Sequence, residues 1–179
     1  GKPATSMPMP TPAPLTPPAA ANKVAFGPAA GEDALKDMTP VEKLVNAGRG
    51  TPVAAVQTFL WAALKGDDDE VAATLVLNQT ARKKAEAWRA ALPADAQAKY
   101  EVVEKLPGLF LTEEVVRKAA SVKVLDAIDH GTGIVNVRLQ TMDQNGRLGG
   151  SDFMVQQGPG GWQMIVPENM IDGMRRSAE

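Results

Sequence analysis

The chain has no cysteine, a single histidine and only 4% aromatic residues. Without cysteine there are no disulfides, no thiol nucleophile and no cysteine-held metal. His130 would have to serve any Ser-His-Asp triad, and one imidazole cannot build a multi-histidine metal site within the chain. It falls in Asp129-His130-Gly131-Thr132-Gly133, which reads as a turn. No window approaches the ~20 consecutive apolar residues of a membrane-spanning helix. Excess charge of one sign is missing as well: 19 basic and 21 acidic residues leave a net charge of −2, and the densest basic cluster is the triplet Arg82-Lys83-Lys84. Holding a phosphate backbone takes a concentrated basic surface. The sequence therefore offers no case for a nucleic-acid partner, and the triplet reads as a solvated helix face.

What is present suffices for one domain with an appendage, since 179 residues at 44% hydrophobic content can bury a core. Proline is unevenly spread. Residues 1–30 hold eight of the fourteen prolines and only two charges, Lys2 and Lys23. Such a segment cannot bury a core, and it is expected to be an extended or disordered Pro/Ala-rich tether. A first residue that is Gly rather than Met suggests either an expression remnant or a processed chain, and a tether after a removed signal would suit an extracytoplasmic location. Residues 31–50 read as a short helical strap. Within it Thr39-Pro40-Val41-Glu42 has capping-box spacing, giving a helix of one or two turns over 39–47 that Gly48-Arg49-Gly50 ends.

Two helices meet at a corner in 51–77. Val53, Val56, Leu60 and Leu64 recur at spacings of three and four, with Phe59 and Ala63 widening the face. Thr51 caps this helix, Pro52 takes the first position, and Lys65-Gly66 ends it. The run Asp67-Asp68-Asp69-Glu70 lacks the alternate ligands, turn glycine and distant Glu of a calcium loop, so it reads as the capped start of the next helix. That helix is expected to carry Val71, Leu75 and Val76 on its apolar side.

Further helices follow. Ala81, Ala85, Trp88 and Leu92 line one over 79–92; Pro93 opens another, with Ala96, Tyr100 and Val103 in line and Pro107-Gly108 as its stop. A short helix over 112–120 carries Val115, Val116 and Ala119. From Ser121 the apolar period changes to two, predicting four strands at 121–129, 133–142, 148–157 and 161–166, joined by glycine-containing turns into an antiparallel meander. A strict two-residue Asn145-Gly146 loop would set Val137 opposite Met154 and mix the faces. One extra residue corrects this, predicting a three-residue loop bulged at Gly146 or a bulge at Gly149-Gly150. The last hairpin is expected to align Val155 with Trp162 and Phe153 with Met164. By parity Asn136, Arg138 and Gln156 are expected to face solvent.

Helices followed by a meander make an α+β fold, with N-terminal helices on a curved antiparallel sheet of about four strands. Pro52-Val53-Ala54-Ala55-Val56-Gln57-Thr58-Phe59-Leu60-Trp61-Ala62-Ala63-Leu64-Lys65-Gly66-Asp67 resembles the first helix and corner of the NTF2-like superfamily, and Gly160-Gly161-Trp162-Gln163-Met164-Ile165 resembles its closing strand. The resemblance covers about 51–166. It departs from the simplest members in its longer helical section, 79–120, and in having no evident early strand between helices. It implies a conical cavity with Trp61, Trp88, Tyr100, Phe153 and Trp162 as lining, although Trp88 and Tyr100 at helical spacing also read as core. Enzymes of the superfamily do proton chemistry inside the cone, for which His130, Asp152 and Tyr100 are the candidates here. None falls on a matching motif, so no catalytic residue is carried over.

The expected organisation is a tether (1–30), a strap (31–50), an NTF2-like domain (51–172) and a polar tail (173–179). The leading functional expectation is a non-enzymatic module for a small hydrophobic ligand or a protein partner. The alternative is a SnoaL-like isomerase or hydrolase. No metal or cofactor is expected, and pairing through the outer sheet face would make a homodimer.

Overall fold

The computed structural model describes residues 37–178. The tether expected over 1–30 and the start of the strap lie outside the described residues.

Helix α1 (Pro52–Lys65) forms as its end signals require. The Thr51 hydroxyl accepts from Ala54 N–H, Pro52 takes the first position, and Gly66 closes the helix at φ 74°. Asp67 N–H donates to Ala62 O, and Gly66 N–H to Ala63 O, which satisfies two orphan carbonyls. Val56, Phe59, Leu60 and Ala63 are buried, as the spacing predicts. The acidic corner starts α2 (Asp68–Ala73), with the Asp67 carboxylate accepting from Glu70 N–H.

Leu75 and Val76 do not continue that helix. Leu75–Leu77 is strand β2, which runs parallel to β6 (Gly161–Val166) and sets Leu75 opposite Met164. Thr74 ends the helix with its hydroxyl on Val71 O, and its own carbonyl accepts from Met164 N–H at 2.7 Å. The sheet edge thus captures the chain after a helix too short to hold its own end.

Helix α3 (Gln79–Ala90) is capped by Asn78 and buries Ala81, Ala85 and Trp88, the expected face. Helix α4 (Ala94–Lys99) follows Pro93, but it ends before Val103. Pro107-Gly108 is no stop: it lies in the first turn of α5 (Lys105–Lys118), where a missing N–H costs nothing, and the helix expected at 112–120 is the second half of α5. Gly108 lets α5 cross α2, since a Cβ there would stand 3.1 Å from Val71 Cγ1.

Among the described residues the sheet has six strands rather than about four, in the order β1 (Thr39–Pro40), β3 (Ser121–Asp129), β4 (Ile134–Met142), β5 (Leu148–Gly158), β6 and β2, and is antiparallel except at the β2–β6 edge. The strap supplies the other edge. Thr39–Pro40 is strand β1, paired with β3 (Ser121–Asp129), and a single 3-10 turn over Val41–Lys43 replaces the expected helix. Pro40 is extended at ψ 137° and no side chain caps the turn, so the N–H of Val41 goes to Ala120 O instead. The strap then crosses α1, where the buried Thr58 hydroxyl donates to Gly48 O and accepts from Ala47 N–H, and it reaches β6, where Trp162 N–H donates to Arg49 O.

Strand β4 (Ile134–Met142) pairs with β5 (Leu148–Gly158) in the corrected register, Val137 opposite Phe153, around the loop 143–147 with Gly146 at φ 81°. The β5–β6 pairing is shifted by two residues from the expected one: Val155 faces Met164 and Gln157 faces Trp162, because the turn is the two-residue Pro159-Gly160 between Gly158 and Gly161. A shift of two preserves parity, so the apolar face is unchanged. Helix α6 (Glu168–Ala178) takes in the stretch expected as a polar tail and buries Ile171 and Met174. Lys84 of α3 holds it through Asp172 at 2.6 Å and Glu168 at 3.4 Å.

Candidate functional site

Beside Phe59 and Leu60 of α1 the helices and the sheet leave a hollow. There α5, the β4–β5 hairpin and the start of α6 enclose a cleft of about 620 Å³, inside the ~300–1,000 Å³ range of small-molecule sites. Its apolar wall comes from Phe59, Leu60, Leu111, Val115, Leu139 and Phe153, with Met170 at the α6 side. Thr141 and Ser151 add hydroxyls, and Lys118 and Arg147 stand at the end where α5 terminates. Lys118 Nζ lies 2.8 Å from Glu114, whose carboxyl is held below its ordinary range by Lys118 against the opposing effect of burial, with Arg117 adding to the lowering. The Arg147 guanidinium has no ion-pair partner among the described residues. A smaller hollow of about 370 Å³ shares Leu60 and Leu139 with this cleft and opens toward Asp37 and Lys43.

Of the aromatics expected to line a cavity, Phe153 borders the cleft, its ring 6.1 Å from Phe59. The other four are elsewhere. Trp88 is buried between α3 and α5 against Phe110, with ring centroids 5.3 Å apart. Trp61 is half-buried on α1 beneath the Lys65 ammonium, 5.7 Å from its ring. Tyr100 ends α4, where its carbonyl accepts from Arg89, and Trp162 opens β6 beside the strap.

The three proton-transfer candidates do not converge. His130 closes β3, its N–H donating to Ile134 O and its Nε2 buried without a partner. Asp152 itself borders the cleft, but side chains alternate along β5. Phe153 points at Phe59, so the Asp152 carboxyl points to the other face of the sheet. On that face Asp126, Arg138 and Asp152 form one cross-strand row. Arg138 donates to both Asp126 oxygens at 2.7 Å, while one Asp152 oxygen is buried without a partner. Burial pushes the Asp152 carboxyl above the ordinary range; the Asn136 amide and Arg138 oppose this, and Asp126 adds to it.

The outer face is less solvated than parity implies. Asn136 is only 2% exposed and Gln140 7%. Asn136 lies between Ile128 and Met154 in its cross-strand row, and these two neighbours are themselves 37% and 38% exposed. Arg138 and Gln156 are half-buried. Sequence reading also missed the α5 and α6 contributions to the cleft, Leu111, Lys118 and Met170. Leu111, Val115 and Lys118 do have helical spacing, but taking Pro107-Gly108 as a stop hid it. Among the described residues no group of three or more His, Cys, Asp or Glu side chains is placed to hold a metal, and no helix is long and apolar enough to cross a membrane.

Fold and site together define an α+β domain whose helices and mixed sheet enclose an open, largely apolar cleft. No protein-family model matches the chain, and no curated protein matches it. Among solved structures the chain is similar to one described as an NTF2-like transpeptidase from Campylobacter jejuni, at 11% identity and a TM-score of 0.42, over 65% of this chain and 99% of that one. At that distance the likeness assigns neither a family nor an activity.

Proposed function

We infer that this chain is a non-enzymatic, NTF2-like module that binds a small hydrophobic ligand in the cleft between α1, α5 and the β4–β5 hairpin. The observation carrying this reading is the apolar wall of Phe59, Leu111, Val115 and Phe153 around about 620 Å³. The direction of Asp152 favours binding over the isomerase or hydrolase alternative, because a general base must come within hydrogen-bond reach of the proton it takes. In this reading the segment 1–30 is a tether, the module works outside the cytoplasm, and a protein partner is the other occupant to consider. In the same reading a homodimer would pair through the outer sheet face, and the exposed Ile128 and Met154 support that choice of face.

The test is binding of the apolar fluorophore anilinonaphthalene sulfonate to the folded protein. Saturable binding that Val115→Trp abolishes, with the circular dichroism spectrum unchanged, supports the reading. Equal binding by the parent and the filled variant would place the fluorophore elsewhere and remove it.

A further inference from the structure

The cleft does not end at α6. Leu111 and Glu114 of α5 and Met170 of α6 border it, and the same three residues border a second groove of about 740 Å³ between α5 and α6. Helical spacing explains the sharing. Leu111, Glu114, Val115 and Lys118 make one stripe of α5 facing the cleft, while Phe110, Glu113 and Arg117 make the adjoining stripe facing the groove. Leu111 and Glu114 are the ridge between the two hollows, and Met170, 38% exposed, borders both across from it. Lys118 and Arg147 stand on the cleft side, where Glu114 pairs with Lys118 and where Asp143 and Asp152 also border, and Arg117 stands on the groove side. From Lys118 back to Leu111 is about 10 Å along the helix axis.

We propose that Met170 gates a passage between cleft and groove, and that the ligand is a single-chain aliphatic carboxylate whose length decides whether the passage is used. The carboxylate sits at Lys118 and Arg147. The chain runs along Val115 and Leu111, and a long one continues beneath Met170 onto Phe110 and Met174. Arg147, which has no acidic partner among the described residues, is the cation available to the head group. Methionine suits a gate because its unbranched thioether changes rotamer cheaply and packs against either chain or solvent. Ile171 and Met174, not Met170, anchor α6 in the core. This inference rests on the ligand-binding reading and names the ligand class and the residue that selects its length.

The experiment is calorimetric titration of hexanoate, decanoate and palmitate into the parent protein, Met170→Trp and Met170→Ala, each checked by circular dichroism. In the parent, affinity rises with length through palmitate, at up to about fourfold per buried methylene. Met170→Trp blocks the passage: palmitate weakens at least about tenfold more than hexanoate does. Met170→Ala leaves palmitate binding intact or tighter. Unchanged palmitate affinity in Met170→Trp, or equal loss for hexanoate and palmitate, overturns the gate and leaves the cleft reading standing. A parent protein that binds the anilinonaphthalene fluorophore but none of the three acids overturns the ligand class alone. One that binds neither overturns both.

Discussion

Gly161 is the residue at which backbone geometry leaves the least freedom. Its φ is 123°, and a Cβ there would stand 2.6 Å from the carbonyl oxygen of Arg49, a backbone atom of the strap. Substitution meets both an unfavourable dihedral and a clash that no side-chain rotation relieves, and Trp162 N–H donates to that same carbonyl at 2.8 Å. Gly161→Ala is expected to lower unfolding free energy by about 2–3 kcal/mol in chemical denaturation. Asp152 gives a prediction of a different kind. Its folded-state carboxyl titrates above the unfolded value because of burial. The folded state therefore binds the proton more tightly: stability from this group is fully present below the unfolded pKa of about 3.9 and is lost as pH rises through the folded value. Asp152→Asn should remove that falling limb and raise the denaturation midpoint at neutral pH relative to the parent. Glu114 has the opposite sign, since its lowered value contributes stability that disappears as pH falls. A neutral-pH midpoint lowered by Asp152→Asn would show that the carboxylate, not the acid, is the form the fold favours.

The elements differ in how much of their cause is local. Helices α1, α2 and α3 each begin at a side chain that accepts from a backbone N–H three residues on: Thr51, Asp67 and Asn78. Removing such a cap costs about 1 kcal/mol, so Thr51→Ala and Asn78→Ala should each lower stability by about that amount, measured in urea. Both changes together should add, the two helix starts being separate. These helices and strands β3 to β6 were legible in the sequence because caps, a 3.6-residue period and a two-residue period are written within each segment. Strand β2 was not legible: three residues cannot display a period, and Leu75–Leu77 is a strand because the edge of β6 is there to receive it. Pro107-Gly108 was misread for a related reason. A proline is tolerated in the first turn of one helix as well as after the end of another, and only the crossing of Gly108 over Val71 and Leu75 decides which. The strap shows the same limit, since its capping-box spacing gave way to hydrogen bonds with β3.

At the scale of the molecule the strap and α6 hold the two layers in place. The strap touches β3, α1 and β6 in turn, and Arg49 donates to Ala73 O at 2.7 Å, so one crossing segment ties one edge of the sheet, through α1, to β6 and the end of α2. Helix α6 is fastened to α3 by Lys84 and borders the cleft. The cleft is what remains between these parts. None of its walls is a sequence motif, which is why only Phe153 among the expected lining residues borders it: the cleft arises where α5, the β4–β5 loop and α6 meet, a juxtaposition set by chain crossings rather than by neighbours in sequence. The most direct test of the central claim, that this cleft is the ligand site, is to follow backbone amide resonances over 37–178 while anilinonaphthalene sulfonate is titrated. The account predicts saturable shifts concentrated at Leu111, Val115, Gly149, Gly150 and Phe153. Shifts confined to the outer sheet face around Ile128 and Met154, or no shifts at all, would contradict it.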